Sequence, residues 1–166
     1  MSKNLVLIGM PGSGKSTIGK LLSERLSYKF IDSDLWIEEK LGETINDMFL
    51  KGEDYFRKEE SKAYEEIAKL DSVIISTGGG VVKNPKNMEV LGVTGTIVFI
   101  DRTVEDILSD IEVSARPLLK EGKEKLYKLY EERYDLYKKY AHIIVKNDKS
   151  LDEVLNDIID KAVEKK

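Results

Sequence analysis

The chain contains no cysteine, one histidine, one tryptophan and three prolines among its 166 residues. Without a thiol there can be no disulfide, no thiolate metal site and no cysteine nucleophile. No segment approaches the roughly 20 consecutive apolar residues of a membrane span. The opening MSKNLVLIGM carries too short an apolar stretch for a secretory signal, with no small-residue cleavage site, so the cytoplasm is the expected location. A surplus of positive charge is also missing. Against 27 Lys and Arg stand 31 Asp and Glu, a net charge of −4, which argues against nucleic acid held by bulk electrostatics. What is there is a chain 41% hydrophobic and 35% charged. That balance suits one globular domain over 1–166, without repeats or linkers.

Short apolar runs alternate with helical spacing. Leu5–Ile8, Lys29–Ile31, Ser72–Ser76, Thr96–Ile100 and His142–Val145 read as strands. Lys15–Leu26, Asp34–Leu41, most of Thr44–Leu70, Glu124–Tyr140 and the stretch after Ser150 read as helices. Asn84-Pro85 opens a shorter helix, and Thr103 with Asp106 looks like another helix start. Thr44 with Asp47 and Ser150 with Glu153 have the spacing of capping boxes. Glu112–Glu121 is less regular. The alternation predicts an α/β sandwich around a mainly parallel sheet. In such sheets ligands sit at the carboxyl ends of the strands, so the residues just after each strand carry the most information.

Gly9-Met10-Pro11-Gly12-Ser13-Gly14-Lys15-Ser16 fits the G-x-x-x-x-G-K-[ST] phosphate loop. Glycines let backbone N–H groups turn inward around phosphate oxygens, and the helix N-terminus that follows adds its positive end. Lys15 is placed to reach the β- and γ-phosphates, and Ser16 to ligate Mg²⁺. A plain glycine turn is the bland alternative, but this loop lies between a strand and an amphipathic helix, where the mechanism needs it.

Two strands end in an acid, at Asp32 and at Asp101. Asp32 is followed by Ser33-Asp34, so two carboxylates at one strand end can divide the work, one near Mg²⁺ and one on an acceptor hydroxyl. Asp101 stands just before Thr103, where acids commonly serve turns, and is read as structural. Taken alone, Arg57 reads as a solvated charge. Arg133 shares a helical stripe with Leu126, Tyr130 and Tyr137, so it either snorkels or pairs with an anion, from a substrate carboxylate or from the chain itself. Arg116, in the irregular stretch before Pro117, fits a lid that supplies charge or an ordinary surface loop. Gly78-Gly79-Gly80 follows a strand directly and would let a small ligand approach the backbone. His142 and the tyrosines of 127–140 are read as packing residues, and Trp36 as either core or cover for a substrate.

As a set these residues resemble the shikimate kinase family along nearly the whole chain. The motifs are Gly9–Thr17, Phe30-Ile31-Asp32-Ser33-Asp34, Gly42-Glu43-Thr44-Ile45, Gly52-Glu53 leading to Phe56-Arg57 and Glu60, Ser76-Thr77-Gly78-Gly79-Gly80, Arg116-Pro117-Leu118-Leu119, and Glu132-Arg133 with Tyr137. The resemblance implies a P-loop NTPase-type, nucleoside-monophosphate-kinase-like sandwich with a five-stranded parallel sheet and a mobile lid. It implies transfer of the γ-phosphate of ATP to the 3-hydroxyl of shikimate, with Mg²⁺, in aromatic amino-acid biosynthesis. Asp34, Arg57, Gly78, Gly79, Gly80 and Arg133 would bind shikimate, and Glu60 would position Arg57. Lys15, Asp34 and Arg116 would be catalytic. Gly12, Ser13, Gly14, Lys15, Ser16, Thr17 and Arg116 would hold ATP, and Ser16 with Asp32 would hold Mg²⁺. The expected partners are these small molecules alone, with no nucleic acid or membrane, and a monomer is expected. The family often has one more arginine before the lid, stacked on adenine; Ile107–Glu112 has no basic residue here. Rival readings are a gluconate- or nucleoside-monophosphate-type kinase, and a P-loop binding module without transfer activity. Asp34 and Arg116 speak against the last, since a pure binder needs neither.

Overall fold

The computed structural model describes residues 3–112 and 120–163. Five strands, β1 (Asn4–Ile8), β2 (Lys29–Asp32), β3 (Val73–Ser76), β4 (Gly95–Asp101) and β5 (Ile143–Lys146), form one parallel sheet in the order β2-β3-β1-β4-β5. β1 lies at the centre, with Leu5 opposite Ile74 of β3 and Thr96 of β4. The chain leaves β1 to one side and, after β3, crosses to the other. The crevice at the carboxyl ends of β1 and β3 is therefore the topological switch point where this architecture binds ligands. The phosphate loop and the glycine triplet are the segments that emerge there.

The helices are α1 (Lys15–Leu26), α2 (Ser33–Leu41), α3 (Ile45–Leu50), α4 (Glu53–Ile67), α5 (Pro85–Thr94), α6 (Val104–Glu112), α7 (Lys120–Tyr140) and α8 (Leu151–Ile158). Strand alternation splits the core into two layers. Leu5, Leu7, Val98 and Ile100 face α1 and α8, while Val6, Ile8, Ile97 and Phe99 face α4, α5 and α7. Both faces of the sheet are thus covered, which is why its strands read as continuous apolar runs.

The predicted caps form. Thr44 Oγ1 accepts from the Asp47 N–H at 3.1 Å, Thr103 Oγ1 from Asp106 at 3.1 Å and Ser150 Oγ from Glu153 at 3.2 Å. Thr44–Leu70 is mostly helix, as expected, in two segments. It breaks at Gly52, whose φ of 124° lies outside the helical range and is open to glycine. Glu124 is likewise not the start of α7, which already runs from Lys120. His142 is structural as expected: its Nδ1 accepts from the Ile97 N–H at 2.9 Å, and its own N–H donates to Ile97 O at 2.8 Å.

Candidate active site

The phosphate loop is built around its own carbonyls. Lys15 is 8% exposed, and its Nζ donates to Gly9 O at 2.7 Å and Met10 O at 3.0 Å. The Ser13 N–H donates to Met10 O at 3.1 Å. Gly9, Gly12 and Gly14 take φ values of 154°, 82° and 99°, which only glycine adopts readily. Burial drives the Lys15 ammonium down to about 8, with Arg133 adding repulsion while Asp34 and Asp32 oppose it. A buried amine short of counter-charge is a receptor for phosphate.

Across a cavity of about 390 Å³ from Lys15 lies the end of β2. Asp32 caps α2: its Oδ1 accepts from the Asp34 N–H at 3.0 Å and the Leu35 N–H at 3.3 Å. That leaves Oδ2 without a hydrogen bond among the described residues. Asp34 also lines the cavity. Burial raises its carboxyl above the ordinary range, the Asp32 charge adds to this, and Lys15 works against it. Ser16 Oγ lies 3.2 Å from Ser76 Oγ at the end of β3. Asp101, at the end of β4, uses its carbonyl to accept from the Asn147 N–H at 2.8 Å.

Each glycine of the triplet faces at least one charged group. A Cβ on Gly78 would lie 3.2 Å from Glu60 Oε2 and 3.3 Å from Asp34 Oδ1. On Gly79 it would meet Pro11 Cδ at 3.0 Å and Arg133 Nη1 at 3.3 Å, and on Gly80 Arg57 Nη1 at 2.5 Å. The space that the sequence assigns to a ligand beside the backbone is shared with two guanidinium groups. Arg57 is not the solvated charge that its helix position alone suggests. Its side chain is 22% exposed, its Nη1 is 3.0 Å from Glu60 Oε1 and its Nε 3.2 Å from Glu53 Oε2. It also lies beside the Phe49 and Phe56 rings. Glu60 is 1% exposed, and its Oε2, facing the same space, has no hydrogen-bond partner among the described residues. Arg133 has no carboxylate partner among the described residues.

Two tyrosines hold this wall, and sequence reasoning missed both roles. Tyr64 is fully buried; its hydroxyl accepts from the Gly78 N–H at 3.2 Å and lies 3.1 Å from Ser33 Oγ. Tyr137 donates to Gly79 O at 2.6 Å, with burial pushing its hydroxyl up to about 12 so that it keeps the proton it donates. A signal was present for the first: Phe56, Glu60, Ala63, Tyr64 and Ile67 share one helical stripe, on which an acid and a phenol need partners. Trp36, left between two readings, packs partly buried against the core and lines a separate groove with Phe30, Asp32 and Leu35.

The sequence-predicted Gly12, Gly14, Lys15, Ser16, Thr17, Asp32, Asp34, Gly78 and Gly79 therefore come together on one cavity. Ser13, Gly80, Arg57 and Arg133 stand in or against its walls. Arg116 lies outside the described residues. Among the described residues no group of three carboxylate or imidazole ligands could hold a metal by itself.

A family model described as shikimate kinase matches residues 11–163. A shikimate kinase from Clostridium botulinum (strain Alaska E43 / Type E3) is 58% identical over 158 residues, 95% of this chain and 96% of that one. Among solved structures, a shikimate kinase from Acinetobacter baumannii in complex with shikimate matches with a TM-score of 0.87 and 32% identity, over 96% of this chain and 92% of that one. The enzyme of that name from Aquifex aeolicus matches with a TM-score of 0.82 and 40% identity, over 94% of each chain.

Proposed function

The chain belongs to the shikimate kinase family, and we propose that its cavity passes the γ-phosphate of ATP to the 3-hydroxyl of shikimate, giving shikimate 3-phosphate and ADP. Members of the family are ATP-dependent kinases acting on a hydroxyl acceptor, in the route to aromatic amino acids. The observation that carries this acceptor is the pair Arg57 and Arg133, both packed on a glycine triplet that also faces Asp34. Two guanidiniums suit a carboxylate, and a carboxylate beside them suits hydroxyls. A small hydroxylated acid fits that arrangement better than a nucleobase does.

ATP lies with its β- and γ-phosphates on the inward N–H groups of Gly12–Ser16 and on Lys15. Arg57 and Arg133 grip the shikimate carboxylate, and Gly78–Gly80 give its ring room. Glu60 holds Arg57 in place. Asp34 orients the 3-hydroxyl and takes its proton as the oxygen bonds to the γ-phosphorus and the bond to the β-γ bridging oxygen breaks. ADP leaves with that oxygen. A carboxyl raised by burial suits this work, since it accepts a proton more readily than an exposed one. Lys15, and Arg116 on the resemblance, stabilise the charge on the transferring group.

Ser16 and the spare oxygen of Asp32 are the ligands we assign to Mg²⁺. This small donor set fits a cation that keeps waters and phosphate oxygens in its shell. When bound, it neutralises charge on the β- and γ-phosphates. We place the activity in the cytoplasm; no helix among the described residues is long and apolar enough to cross a membrane. We also assign it to a monomer. Phosphorus NMR of a mixture of enzyme, Mg-ATP and shikimate tests the reaction. A new phosphomonoester coupled to the proton on C3 is expected, and inorganic phosphate alone would overturn the assignment.

A further inference from the structure

A phosphate loop can present its N–H groups inward only if its carbonyls point outward and find donors there. Lys15 supplies donors for Gly9 and Met10. The carbonyls of Gly12 and Ser13 are met by two side chains that no motif singles out. Arg102, just past β4, donates from Nη1 to Gly12 O at 3.0 Å. Asn147, just past β5, donates from Nδ2 to Ser13 O at 2.8 Å. The same Nδ2 would be 3.0 Å from a Cβ on Gly14, so Asn147 also backs that residue.

Arg102 is itself held. Its Nη2 is 2.6 Å from Asp110 Oδ2 on α6, and its side chain is only 18% exposed. Its Nε is buried with no hydrogen-bond partner among the described residues, an unusual cost for a group that could otherwise swing into water. Ile107, on the same helix, stands 2.9 Å from where a Cβ on Gly12 would be. The loop is therefore pinned on its outer side by β4, β5 and α6 together.

We propose that Arg102, assisted by Asn147, is a positioning residue for nucleoside di- and triphosphates. It fixes the Gly12 and Ser13 peptides so that the N–H groups beyond them face the β-phosphate, and its cation adds to the field behind the loop. Arg102 touches no reacting atom. The inference rests on reading Gly9–Ser16 as a phosphate cradle and not on which acceptor is used.

The test is calorimetric titration of the full chain with Mg-ADP, with no acceptor present. Arg102→Met is expected to weaken ADP roughly tenfold, about 1.4 kcal/mol. Arg102→Lys, which keeps one donor and the charge, is expected to recover most of that loss, and Asn147→Ala to lose affinity separately. In steady state the KM for ATP rises in Arg102→Met, while the KM for the acceptor stays within about twofold, a split that a general loss of structure would not give. ADP affinity within about twofold of the parent in a folded Arg102→Met would overturn the proposal, as would equal rises in both KM values. If Arg102→Met does not fold, Asp110→Asn, which removes only the second anchor, must weaken ADP measurably or the proposal fails. Because ADP binding is read without shikimate, failure here is distinguishable from failure of the acceptor assignment.

Discussion

Arg57 occupies the space that a side chain at Gly80 would need, with Nη1 2.5 Å from where that Cβ would stand. The guanidinium is braced from the other side by Glu60, whose Oε1 is 3.0 Å away. Gly80→Ala should therefore push Arg57 off its position. The expected result is a KM for shikimate raised roughly tenfold, about 1.4 kcal/mol, with the KM for ATP little changed. Initial-rate kinetics with each substrate varied in turn checks this. A shikimate KM equal to that of the parent would mean that Arg57 does not hold the acceptor.

Arg133 has no carboxylate of its own among the described residues, although its Nη1 reaches the face of Gly79. Its missing partner is assigned to the substrate. Arg133→Ala should raise the shikimate KM by the equivalent of roughly 2–5 kcal/mol, the usual cost of truncating one side of a desolvated charge pair. Stability should barely fall, since no ion pair among the described residues is lost. A large drop in denaturation midpoint with an unchanged KM would place Arg133 in the framework instead.

These arginines show where the sequence was legible and where it was not. Strand and helix order, the caps at Thr44, Thr103 and Ser150, and the phosphate loop depend on neighbours within a few residues, so local pattern reveals them. Gly52 splits the long helix because one glycine in a strongly helical stretch acts through its φ angle, which composition does not show. The burial of Arg57 depends on Phe49, Glu53, Glu60 and Gly80 meeting around it. Gly79 receives its hydrogen bond from Tyr137, far along the chain. Such pairings are set by the tertiary fold, and without the family resemblance Arg57 would have stayed a surface charge.

Asp34 sits in the site at a cost to folding. Burial, then the neighbouring Asp32 charge, raises its carboxyl above the unfolded value. A raised acid is fully tolerated below the unfolded pKa, and its favourable share is lost as pH rises through the folded value. At neutral pH, above the unfolded value, this shift therefore works against the fold. Asp34→Asn should lower kcat by a factor on the order of 10²–10⁴ while leaving ATP binding nearly intact. It should also resist urea better than the parent at pH 7, with the advantage shrinking as pH falls toward the unfolded carboxylate range. Lower stability at pH 7, or ATP affinity lost in step with turnover, would make Asp34 a structural residue.

Lys15 gives the opposite linkage. Its ammonium falls from 10.5 to about 8, chiefly through burial. Between those values the unfolded chain binds the proton more readily, so stability gains from rising pH across that window. Lys15→Met should abolish turnover and remove this slope. The stability of the parent minus that of the variant, without nucleotide, should rise between pH 8 and pH 10.5, with a ceiling of ~3 kcal/mol at about 1.4 kcal/mol per pH unit. Parallel stability curves for the two proteins would show that Lys15 is not desolvated.

The most direct measurement is ADP release by a coupled assay with Mg-ATP, comparing shikimate with gluconate, AMP and CMP as acceptors. The account predicts turnover with shikimate and none above background with the other three. Turnover with another acceptor, or with none of the four, would leave the phosphate loop standing and contradict the roles given to Asp34, Arg57 and Arg133.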